Sequence, residues 1–215
     1  MSTRQARGRP RERPRPGLTP EIIVSAGRRL IERDGLDALT MRAVAADLNT
    51  AATSLYRHIA DRESLLLAIL ESIALGLPVE VPGATPRDRL LTRFTAAHDY
   101  MAECSWVLHV LVLGEMTGEN AFPFSNACLA DFLDAGLTTR QAARAFRSCW
   151  HFMVGELLDA HPRLAPREPS QRSRAVARID PARLPALAAV SALPREDSRE
   201  AFVAALDILV SGLVR

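Results

Sequence analysis

Residues 39–66 read "LTMRAVAADLNTAATSLYRHIADRESLL", and this stretch decides the fold. Apolar residues recur at helical spacing through Val44, Ala45 and Leu48, stop at Asn49–Thr50, and resume at Leu55 and Ile59. Asn49 is one of the few non-glycine residues that tolerate a left-handed backbone. The pattern therefore predicts a helix from Thr40 to about Leu48, a tight turn, and a second helix over about Ala51–His58, with Thr50 placed to cap it. Two short helices about a tight turn make a helix-turn-helix. Its second helix enters a DNA major groove while the first braces it across the backbone. Val44, Leu48, Leu55 and Ile59 then face inward, leaving Ala52, Thr53, Tyr56 and Arg57 pointing outward.

Upstream, "LTPE" opens a helix. Thr19 is its cap, Pro20 suits the first position, Glu21 complements the positive helix end, and Gly35 offers a stop. Downstream, Asp61 caps a helix through Leu65, Leu66, Ile69 and Ile73, which Gly76 and Pro78 end. A connector, "PVEVPGATP", leads to a larger unit. Helices are expected there from Thr85–Pro86, over about Ser105–Leu113 and over Asn120–Ala135. Another opens at the Thr138/Gln141 capping box, and a last one runs over about Asp197–Val214. Residues 161–185 are rich in Arg and Pro and read as a loop with a short helix near its end. No stretch reads as a strand. The expectation is an all-α chain with an arm (1–17), a three-helix DNA-binding domain within 18–77, and a larger helical domain (85–215).

The segment resembles the DNA-binding domain of the TetR (tetracycline-repressor) family. The likeness lies in Thr40, Val44, Ala45, Leu48, "SLYRHI" at 54–59 and "DRESLL" at 61–66. The family pattern runs roughly T-x-x-x-I-A, a Gly turn, T-L-Y-x-H-F, then a Lys-x-x-L entry to the next helix. Here Asn49 stands for the turn Gly, Thr50 for an apolar anchor, Ile59 for the Phe and Arg62 for the Lys. The resemblance implies DNA contacts by Thr40, Arg42, Ala52, Thr53, Tyr56, Arg57, His58 and Arg62. Arg42 would read a guanine edge through O6 and N7. Tyr56, His58 and Arg62 would hold phosphates, although His58 also suits a buried strut. It further implies a ligand-responsive regulator, a repressor by family habit, that binds a palindromic operator as a homodimer.

Charge distribution is consistent with a nucleic-acid partner. The chain carries 27 Lys+Arg against 25 Asp+Glu, a net +2. Residues 1–17 hold six arginines and one glutamate, so this arm is +5 and the remainder −3. A basic arm on a mildly acidic body suits a polyanion. Within it "RGRP", with Arg7 and Arg9, resembles an AT-hook core for a narrow minor groove, the plain alternative being a solubilising tail. The arm has no apolar region of a secretory signal, and no apolar run is long enough to span a bilayer. A cytoplasmic protein with no membrane association is expected. Cys104, Cys128 and Cys149 show neither metal spacing nor a disulfide framework and read as reduced core thiols.

In the larger unit, Phe94, His98, Met101, Trp106, His109, Phe124, Phe132 and Trp150 are candidates for an effector pocket, since they mix apolar walls with a few polar tips. They suit plain core equally. Phe146, Met153, Leu157, Phe202, Leu206 and Leu209 lie on the apolar sides of two helices suited to a two-fold four-helix bundle, and so to a dimer interface. They too suit internal packing. His98, His109 and His151 lack a His-x3-His pair and an evident carboxylate, so no metal and no cofactor are expected. Nucleophile–base spacing and phosphate loops are missing, which argues against an enzyme. A DNA-bound activator or architectural protein without an effector remains the alternative, with a sealed C-terminal core as its mark.

Overall fold

A computed structural model of the chain describes residues 17–114, 118–160, 170–194 and 197–214. The arm, with Arg7 and Arg9, lies outside the described residues, as do 161–169 of the expected loop. All regular structure among the described residues is helical. The chain divides into two compact units, Met1–Leu65 and Leu66–Arg215, and the division falls inside one helix, α4, rather than in the connector at 78–86.

The smaller unit contains α1 (Pro20–Asp34), α2 (Met41–Asp47), α3 (Ala52–Leu55) and the start of α4 (Arg62–Ala74). Thr19 caps α1 by accepting the Ile22 N–H, and Gly35 closes it at φ 88°. Thr40 caps α2 by accepting the Ala43 N–H at 3.1 Å. The end of α2 is a Schellman motif. Asn49 adopts φ 49° and its N–H reaches the Ala46 carbonyl, while the Thr50 N–H reaches Ala45. The asparagine thus occupies the left-handed position that usually takes glycine.

The second helix of the motif is shorter than its pattern suggests. Regular α-helix ends at Leu55, and Tyr56–His58 continue as a turn in which the His58 and Ile59 N–H groups both reach the Leu55 carbonyl. The tightening lets Leu55 (0% exposed) and Ile59 (6%) both stay inside. Thr50 does not cap α3. Ala51 occupies that position without a side-chain bond. Ile23, Ala26, Leu30, Ile31, Leu39, Met41, Val44, Ala45 and Leu65 are buried with them.

The larger unit continues from the second half of α4. It holds α5 (Pro86–Ala102), α6 (Trp106–Gly114), α7 (Phe122–Asp134), α8 (Thr139–Ala160), α9 (Gln171–Val176), α10 (Pro185–Ser191) and α11 (Ser198–Leu213). Helices α5, α7, α8 and α11 pack on one another around Phe94, Phe132, Met153 and Phe202. Their starts are set by local chemistry. Thr85 and Asp88 form a complete capping box, Thr138 and Gln141 bond reciprocally, and Asp197 accepts the Arg199 and Glu200 N–H groups. A buried ion pair, Arg93–Asp131 at 2.8 Å, joins α5 to α7, and the same guanidinium donates to the Pro78 and Val79 carbonyls. The connector is held to the helical body by that arginine.

Candidate functional site

The outward face of the helix-turn-helix carries Arg42, Thr53, Tyr56, Arg57 and His58, all exposed, with Ala52 half-buried beside them. Tyr56 is 53% exposed, a large aromatic surface presented to solvent next to a guanidinium and an imidazole. Hydroxyl, guanidinium and imidazole groups suit phosphate oxygens and base edges. The exposure of His58 removes the reading of it as a buried strut. Two residues of the expected set have work inside the protein. The Thr40 hydroxyl is occupied by its capping bond. Arg62 donates from Nε to the Leu39 carbonyl at 2.7 Å and from Nη2 to the Leu36 carbonyl at 3.3 Å. It therefore braces the turn that leads into α2, with part of its fork engaged before any phosphate arrives. Asp47, an acid near the end of α2, is paired with Arg29 and Arg33 of α1.

The larger unit contains a cavity of about 280 Å³. Among the described residues its walls are Leu70, Ile73, Ala74 and Leu77 on one side, and Met101, Val107 and Leu111 on another. Gly118, Ala121, Phe124 and Ser125 follow, with Phe146 and Trp150 from α8. Met101, Phe124 and Trp150 of the expected pocket line it; Phe94, His98, Trp106, His109 and Phe132 do not. Phe94 and Phe132 are core with 0% exposure. His98 is buried in a different place. Its ring stacks on Phe202 at 4.1 Å, Nε2 lies 2.7 Å from Glu156 and Nδ1 lies 3.4 Å from Asp99. The carboxylates missing from the sequence view of His98 thus come from its neighbour in the chain and from 58 residues further on. Arg199 in turn grips Asp99 through two 2.8 Å bonds, and Ser198 donates to Glu156.

Glu71 was not singled out by the sequence. From α4 its carboxylate accepts the N–H groups of Glu119 and Asn120 at 2.7 and 2.9 Å, so it caps the short helical turn at Glu119–Ala121 that leads into α7. Gly118 lets the carboxylate come this close: a Cβ at that residue would meet the Glu71 carboxyl carbon at 2.5 Å, and the Glu71 side chain would have to shift. The α4 contribution to the cavity had a usable signal: Leu70, Ile73, Ala74 and Leu77 follow an i, i+3, i+4, i+7 stripe. Leu65, Leu66 and Ile69 already supply a buried face, so this helix is apolar on more sides than one core contact needs.

The expected interface residues divide similarly. Met153, Leu157, Phe202 and Leu206 are at most 1% exposed within a single chain and form intrachain core. Phe146 lines the cavity, and Leu209 is half-buried. Met153, Leu157, Phe202 and Leu206 are thus covered by the chain's own helices. Among the described residues no group of three or more His, Cys, Asp or Glu is placed to hold a metal ion, and no helix is long and apolar enough to cross a membrane.

A helix-turn-helix with an open reading face, followed by a larger helical unit with its own cavity, defines the architecture of one-chain bacterial transcription regulators. Residues 23–69 match the family model for bacterial regulatory proteins of the tetR family, and residues 78–215 match that for the tetracyclin repressor-like C-terminal domain. The chain belongs to the TetR family of transcriptional regulators. It is 29% identical over 147 residues to an HTH-type transcriptional regulator of Saccharopolyspora erythraea, a match covering 67% of this chain and 62% of that one. It is 29% identical over 155 residues to the HTH-type transcriptional repressor DrrR1 of Streptomyces coeruleorubidus, covering 68% and 55%. Both matches span less than two thirds of the relative. In fold it is similar to apo ActR of Streptomyces coelicolor, with a TM-score of 0.74 at 22% identity over 91% of this chain and 94% of that one. ActR has also been solved in complex with actinorhodin.

Proposed function

We propose that this regulator is a repressor that binds a palindromic operator as a homodimer and leaves it when a small hydrophobic effector occupies the α4–α8 cavity. The observation that carries the reading is the outward set Arg42, Thr53, Tyr56 and Arg57 on a motif whose anchors Val44, Leu55 and Ile59 are buried, with Leu48 half-buried. A tyrosine 53% exposed beside Arg57 suits a phosphate-lined groove. Duplex DNA, a second copy of the chain and the effector would be its partners, met in the cytoplasm. One short recognition element reads few base pairs, so a two-fold pair about 34 Å apart doubles the contact. Arg7 and Arg9 of the arm would add minor-groove contacts.

The repressor named among the relatives and the ligand-bound state of ActR support the sign and the effector. For the dimer, the outward faces of α8 and α11 offer Ile208, 76% exposed, with Ala204, Gly155 and Gly212 alongside it in the exposed set. The two glycines have open space where a side chain would be. The effector would shift the dimer towards a state with its reading helices wrongly spaced, and it must bind the two states with different affinity to do so. An activator or architectural protein without an effector would have a sealed core, and the cavity speaks for the effector-responsive reading.

Selection of bound sequences from a random DNA pool tests the proposal. An inverted repeat with half-sites about one helical turn apart is expected. Enrichment of a single asymmetric site, or none, would overturn it.

A further inference from the structure

Building on the effector reading, we propose that the α4–α8 cavity selects an electrically neutral, planar aromatic molecule and rejects one that carries an ionised carboxylate.

The walls decide the charge. No Arg, Asp, Glu or His is among the cavity's described lining residues. The side-chain polar groups there are the Ser125 hydroxyl, which donates to the Ala121 carbonyl at 3.3 Å, and the Trp150 indole. An anion entering this space would give up water and find no cation, a loss that neutral molecules avoid. The formal charge that borders the wall is of the wrong sign for an anion. The Glu71 carboxylate lies directly against Gly118, and it is held there by the Glu119 and Asn120 amides. Those two bonds also satisfy Glu71, and no carboxylate is among the described lining residues to receive a cation.

The walls also decide the shape. Phe146 and Trp150, four residues apart on α8, lie 6.5 Å apart with ring planes 24° from parallel. Phe124 approaches Trp150 from α7 at 6.4 Å and 58°. Flat π faces and ring edges together favour a flat π partner through stacked and edge contacts. A space of about 280 Å³ is small for such sites, which suits roughly two fused rings.

The test uses the full chain without DNA and three probes of matched shape: 2-naphthol, 2-naphthoate and 2-naphthyltrimethylammonium, with trans-2-decalol as the saturated counterpart. Calorimetric titration at neutral pH should show 2-naphthol binding at least about tenfold more tightly than each of the others. The Ser125→Arg variant should reverse the order of naphthol and naphthoate, and Ser125→Ala should leave it unchanged. Equal or tighter binding of the naphthoate, the ammonium or the decalol by the unaltered chain overturns the proposal, as does failure of all four to bind. That comparison decides the matter whether or not Ser125→Arg folds. Release of operator DNA is read separately. Naphthol that binds without releasing DNA removes the effector reading and leaves the ligand chemistry standing.

Discussion

The Arg62 guanidinium donates to the Leu39 carbonyl at 2.7 Å, fixing the residue that immediately precedes the Thr40 cap of α2. The side chain is thus a brace for the reading motif. Arg62→Lys keeps the charge and loses the planar fork that reaches both Leu39 and Leu36. It should lower stability by about 1 kcal/mol. Because the charge is kept, the salt dependence of operator binding should be unchanged. Arg62→Gln removes the charge, and a salt slope shallower by about one unit in that variant would instead identify Arg62 as a phosphate contact.

Asn49 sits at φ 49° in the turn between the two helices of the motif. Asn49→Ala places an ordinary Cβ in left-handed backbone and should cost about 1 kcal/mol. Asn49→Gly should be neutral or mildly stabilising, because glycine enters that region freely. Urea unfolding of the three proteins checks the order Gly ≥ Asn > Ala.

Arg42 and Tyr56 are both exposed on the reading face and should fail differently. Arg42→Ala should relax preference at one base pair of each half-site by about 1–3 kcal/mol. Tyr56→Phe should weaken binding evenly across operators, since a lost phosphate contact carries no sequence information. Competition binding with a set of single-base operator variants separates the two effects.

Ile208 is the most exposed large apolar residue among those described on α11. Ile208→Arg should leave the thermal transition of a dilute monomer in place and abolish the dimer in sedimentation. A persistent dimer would move the interface elsewhere.

The Arg199 guanidinium beside Asp99 holds that carboxyl below its usual range, with His98 adding to the effect. A carboxyl depressed by folding stabilises the native state above its ordinary value, and the benefit is lost as pH falls towards the depressed one. Arg199→Gln should therefore lower Tm at neutral pH, and the two Tm curves should converge in acid. A constant gap across the titration would assign the effect to packing instead.

The motif was legible because its signals are local. Thr19, Thr40, Asp61 and Asn49 act within a few residues of themselves, and the apolar spacing of Val44, Leu55 and Ile59 fixes the inner face. The cavity was much less so. A spacing pattern marks Phe94, Phe132 and Trp150 as apolar without saying which lines a void and which fills one. That depends on how α4, α5, α7 and α8 meet. The same limit affected Met153, Leu157 and Phe202, whose apolar face packs on the chain's own helices. The partners of His98 were hidden for a related reason: Glu156 lies 58 positions away, and no periodicity links the two.

The thiols of the larger unit offer a built-in clock for its opening. Cys128 and Cys149 are fully enclosed, and burial pushes the Cys149 thiol up to about 12 and the Cys128 thiol higher than its ordinary value. In the closed protein both are protonated at neutral pH and out of contact with an alkylating reagent, which only the thiolate attacks. Iodoacetamide added to the intact chain would therefore label them only during transient unfolding. The rate of mass gain would track that event, and a ligand held in the α4–α8 cavity of the folded state should slow it.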